Sequence, residues 1–136
     1  MKSIKLISAL YLLAINLVYA SAPCDGFNIT LENQLGDDLL VTRFNLDGAQ
    51  LLPSNLQKLK RKSTQSFRVT HSDKGVPIFG EILFHTQSVP NKLIAIQFDL
   101  RNSRLICEHN DLSQVSSFSL KKARSPERIE YVISEK

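Results

Sequence analysis

The sequence predicts an all-β fold: a single antiparallel β-sandwich, or a small barrel, behind a cleaved signal peptide. Three observations carry this. Apolar residues after Gly26 recur with a period of two, turn-forming stretches interrupt them at short intervals, and residues 1–20 have the order of an export leader.

The leader comes first. Lys2 and Lys5 precede an apolar run from Leu6 to Val18, and the small residues Ala20, Ser21 and Ala22 follow. Positive start, greasy centre and small-residue exit are the parts of a signal peptide. The run is also shorter than the ~20 residues that a membrane-spanning helix requires. Cleavage after Ala20 places Val18 and Ala20 at the recognition positions, making 1–20 the leader and 21–136 one domain. Cys24 raises the alternative of a lipoprotein, but Pro23 lacks an N–H and stands where a small residue is needed. Cys24 is therefore expected to keep its thiol chemistry.

Strands follow in order. Phe27, Ile29 and Leu31 alternate with Asn28, Thr30 and Glu32, and Phe67 and Val69 alternate with Arg68 and Thr70. In "KLIAIQFDLR", Ile94, Ile96, Phe98 and Leu100 share one face, against Leu93, Ala95, Gln97, Asp99 and Arg101. Ile129, Tyr131 and Ile133 repeat the pattern near the end. Side chains alternate across a strand, so each run has one buried face. Gly36–Asp38, Asp47-Gly48, "HSDKG" and "RNSR" provide the turns. Asp47-Gly48 and "RNSR" both read as hairpins. Pro53, Pro77, Pro90 and Pro126 sit at strand margins. "LPSNLQKLKRKS" could hold one helical turn, and Gly80 within an apolar strand suggests a bulge or a close backbone approach.

The chain has 17 Lys+Arg and 13 Asp+Glu, and the leader removes two lysines. The surplus left is mild and bears on solubility more than on a partner. Cys24 and Cys107 are the only cysteines, an even pair that reads as a disulfide in an oxidising compartment.

The candidate binding patch is "KLKRK", with Lys58, Lys60, Arg61 and Lys62. It could hold an anionic glycan, anionic lipid or envelope protein by charge; the more ordinary reading of such a run is a solvated edge or loop whose lysines prevent sheet association. No aromatic residue interleaves it, which argues against nucleic acid. Lys121, Lys122, Arg124 and Arg128 form a second basic group. Glu108, His109 and Asp111 lie close in sequence, as do His71 and Asp73, yet three scattered histidines make a poor metal set and suit polar turns. No catalytic motif is present in the sequence, and no cofactor is implied. Asn28-Ile29-Thr30 matches a glycosylation sequon, but the compact leader looks bacterial, so the match is read as accidental.

The order "ITLENQLGDDLLV … DGAQLLP … STQSFRV … GVPIFGEILF … LIAIQFDL" resembles secreted lipid-binding sandwiches of the aegerolysin and actinoporin kind. The resemblance implies short alternating strands and a lipid-facing surface of tryptophan and tyrosine. This chain has no tryptophan, so no functional residue is carried over. The expected function is an exported, non-catalytic binding or envelope-associated module, periplasmic or secreted. A lipid-directed effector using the same lysines is the second expectation, and an exported hydrolase the third.

Overall fold

A computed structural model describes residues 22–136; the expected leader and its expected cleavage point lie outside them. The described chain is a β-sandwich without helix, built from β1 (Asn28–Asn33), β2 (Leu39–Asp47), β3 (Gln50–Leu52), β4 (Lys58–Leu59), β5 (Ser63–Thr70), β6 (Ile78–Thr86), β7 (Leu93–Ser103), β8 (Ile106–Asp111), β9 (Gln114–Val115), β10 (Ser119–Ser125) and β11 (Arg128–Ser134). One sheet has the order β10-β11-β1-β5-β3. The other runs β4-β2-β6-β7-β8, with β9 also on β7. Every pairing is antiparallel except β1 with β11, which run parallel.

The period-two faces close on one another. Ile29, Leu31, Phe67, Val69, Ile129, Tyr131 and Ile133 come from the first sheet; Ile82, Phe84, Ile94, Ile96, Phe98 and Leu100 come from the second. All are at most 2% exposed, whereas Leu93, on the opposite face of β7, is 59% exposed. Gly80 is the close approach, and no bulge occurs there: a Cβ would lie 2.1 Å from the Phe98 ring. Gly80 and Phe98 are cross-strand partners, so the glycine makes room for the aromatic. The register shift in this sheet lies instead between Val41 and Arg43 of β2.

Two local expectations are corrected. Asp47-Gly48 is a turn but not a hairpin, because β2 pairs with β4 and β6 while β3 pairs with β5 in the other sheet. Gly48 has φ +86°, and a Cβ there would stand 2.3 Å from the Pro77 carbonyl oxygen. Glycine thus permits a sheet-to-sheet corner, a connection with the same local chemistry as a hairpin. The possible helical turn in "LPSNLQKLKRKS" is extended instead, since Leu59 (2% exposed) is drawn into the core beside Leu39 on β2. The "RNSR" turn does join a hairpin, β7 to β8.

Cys24 and Cys107 are bonded, with Cα atoms 4.6 Å apart across 83 residues. The Cys24 sulfur is thereby committed to Cys107. Around it, the Cys24 amide donates to Asn102 Oδ1 (2.6 Å), and the Ser72 amide and hydroxyl donate to Asp25 Oδ1 (2.8 and 2.6 Å). The segment preceding β1 is stitched to both sheets.

Candidate functional site

The basic patch is built from below by a buried amide. Asn33 ends β1 and is fully buried. Its Nδ2 donates to the carbonyls of Asp37 (2.9 Å), Leu59 (3.0 Å) and Lys60 (3.2 Å), and its Oδ1 accepts from the Leu35 amide (3.0 Å). Asn33 therefore spends its hydrogen-bonding capacity on holding β4 and its following turn. Asp38 does the rest: Oδ1 accepts from the Arg61 amide at 2.8 Å. That hydrogen bond, with the Lys58 and Arg61 charges, outweighs desolvation and holds the Asp38 carboxyl below its ordinary range. Lys62 completes the turn at φ 55°, and its ammonium donates to the Gln34 carbonyl at 2.5 Å.

Lys58, Lys60, Arg61 and Lys62 are all exposed. Lys58 and Arg61 share Asp38 at 3.7 and 3.8 Å, while Lys60 makes no ion pair among the described residues. Four cations beside Asp38, with Asp37 near Arg61, leave a net positive field at the two-residue edge strand and the turn after it. Such charges also hinder pairing with another sheet edge.

The second basic group lies at the opposite lateral edge, where β10 flanks β8. Arg124 Nη2 donates to the Cys107 carbonyl (2.5 Å), and its guanidinium stacks 4.9 Å from the Phe27 ring centroid. Lys122 pairs with Asp111 at 2.6 Å. These two cations fasten one sheet edge to the other, and the two basic groups do not share a face.

Alternation along β8 turns Cys107, His109 and Asp111 inward, while Glu108 is exposed. Tyr131 crosses from β11 to meet them: its hydroxyl donates to Asp111 Oδ1 (3.1 Å) and lies 2.8 Å from His109 Nε2. The Tyr131 proton is used on Asp111, so His109 donates from Nε2. Ser113 Oγ also donates to Asp111 Oδ1, at 2.6 Å. Burial, reinforced by the Arg124 charge, lowers the His109 pKa to about 4. Burial and the Asp111 charge push Tyr131 far up. For Asp111 desolvation is the largest influence and raises the pKa, but hydrogen bonds from Lys122 and Ser113 prevail and lower it. Near neutral pH His109 is uncharged, Tyr131 protonated and Asp111 ionised, and each group is engaged with the others.

The "CEHND" residues therefore divide, and among the described residues no three His, Cys, Asp or Glu side chains converge as a metal site. Asn33 escaped the sequence reading, which took Tyr131 only as a buried-face residue and Asp38 only as part of a turn. The shared parity of Cys107, His109 and Asp111 was the available sign of their common face. No protein-family model matches the chain, and neither does any curated protein.

Proposed function

We propose that the protein is an exported binding module without catalysis, taking an anionic glycan of the cell envelope at the β4 edge. The observation that supports this reading is the exposed set of Lys58, Lys60, Arg61 and Lys62, anchored through backbone by buried Asn33 and offset by Asp38, with Asp37 near Arg61. A backbone held from below and carrying closely spaced exposed cations suits a repeating anionic polymer, which needs charge density more than a shaped pocket. The disulfide fits an oxidising compartment, periplasmic or extracellular. The mutual engagement of His109, Tyr131 and Asp111 argues against their use as a proton-transfer site.

Retention on a sulfated-polysaccharide resin tests the reading. The protein should elute only with added salt, and the Lys58→Ser/Lys60→Ser/Arg61→Ser variant should elute early. Equal retention of the two proteins would remove the β4 edge as the site.

A further inference from the structure

The far end of the sandwich carries a different surface. The β7–β8 hairpin closes through Arg104 and Leu105, because Ser103 pairs with Ile106. Arg104 sits at φ 46°, a conformation that turns normally give to glycine or asparagine. Leu105 beside it is 93% exposed, and Ile106 is 52% exposed. Turn chemistry and apolar burial are both broken at one tip, and Leu105 gains almost no packing in return. Local rules broken without a folding gain point to a site kept for contact.

The surroundings specify the contact. Arg101 and Arg104 are exposed, and neither makes an ion pair among the described residues. The bend carrying exposed Lys74 is tied to the hairpin stem by Asn102 Nδ2 donating to the Asp73 carbonyl at 3.2 Å. Val76, just beyond it, is 42% exposed. Behind the tip, Arg101, Ile106 and Arg124 line an open cleft of about 470 Å³. Glu108 faces Arg101 across the hairpin, and Asp99 lies farther from the tip. At the tip itself Leu105 and Ile106 are flanked by Arg104 and Arg101, with carboxylates at Glu108 opposite Arg101 and at Asp73 on the neighbouring bend.

We propose that this hairpin end docks on an anionic phospholipid surface. Leu105 and Ile106 enter the acyl boundary while Arg101 and Arg104 meet headgroup phosphates. A protruding tip suits a deformable layer, which needs no matching cavity, and cations beside a small apolar insertion supply the two attractions that such binding combines. The surface is distinct from the proposed glycan edge: Leu59 pairs with Leu39 at the start of β2, across the sheet from β8.

Cosedimentation of the disulfide-bonded protein with phosphatidylcholine vesicles, with and without phosphatidylglycerol, tests the proposal. Pelleting should require the anionic lipid. Leu105→Ser should lower the partition coefficient roughly tenfold, the effect of withholding one leucine from an apolar phase. Arg101→Ser/Arg104→Ser should lower it by roughly tenfold or more. Both variants should melt like the parent, since these side chains lie outside the core, and Lys58→Ser/Lys60→Ser should pellet normally. Absence of pelleting, equal pelleting without phosphatidylglycerol, or pelleting unchanged by Leu105→Ser would each overturn the proposal. Loss confined to the lysine variant would overturn it too, while leaving the β4 edge as an anion site. Resin retention that fails beside Leu105-dependent pelleting would reject the glycan reading alone.

Discussion

The two lateral edges of the β4-β2-β6-β7-β8 sheet are built on opposite plans. At β8 the disulfide, the Arg124 contact with the Cys107 carbonyl and the Asp111 network join the edge to the other sheet. At β4 the backbone is held by Asn33, while the exposed charged side chains reach only neighbouring groups, Lys58 and Arg61 the Asp38 carboxylate and Lys62 the Gln34 carbonyl. Arg124 and Lys122 fasten one sheet to the other at β8, whereas the β4 cations are held only locally, with Lys60 making no ion pair among the described residues. The same residue types bridge the sheets where the acceptor belongs to the other sheet, as Asp111 does for Lys122, and stay local where the acceptor lies beside them, as Asp38 does for Lys58. Exposed ion pairs contribute at most ~1 kcal/mol, so the β4 set has little bearing on folding.

The sharpest way to break this contrast is to remove the disulfide. Cys24→Ser/Cys107→Ser should destabilise by ~4–5 kcal/mol on the chain-entropy estimate for so long a loop. Denaturant unfolding measures it; an effect under ~1 kcal/mol would place the β8 edge on a par with β4. Next, Phe98→Ala should cost ~3–5 kcal/mol, as for other buried rings. That ring lies over Gly80 and 5.7 Å from the His109 ring, so its loss would loosen the β8 side.

A third test uses pH. An unfolded histidine takes up a proton near pH 6.5, but folded His109 resists until about 4. Between those values the unfolded chain binds more protons, so stability must fall as pH drops through the window. The folded pKa of Asp111 is depressed, so its contribution is lost only as pH falls below 3.8. Melting temperature followed from pH 7 to 4 should show the His109 slope, and His109→Phe should flatten it. A profile with the same slope in that variant would assign the acid sensitivity elsewhere. The smallest effect is expected at the β4 edge. Lys60→Ser/Lys62→Ser should shift stability by less than ~1 kcal/mol, read from the same unfolding curves. A larger loss would show that the edge is part of the fold after all.

The sequence by itself determined which faces are buried. Alternation is a covalent consequence of strand geometry, so Ile94, Ile96, Phe98 and Leu100 could be assigned inward without knowing their partners. Parity and compartment likewise identified the Cys24–Cys107 pair, because no competing thiol exists. Only the tertiary structure decided which strands neighbour one another. Asp47-Gly48 has the same turn chemistry whether the chain folds back or crosses to the other sheet, and the choice depends on Pro77 and β5, distant in sequence. The charge cluster was legible as a cluster, but its availability was not. Whether a lysine is spare depends on the acceptors that folding brings beside it: Asp38 for Lys58, Asp111 for Lys122. Likewise, Tyr131 reads as one more apolar face residue until β11 packs over β8 and its hydroxyl meets His109 and Asp111. Long-range pairing sets those distances, and a period of two carries no information about them.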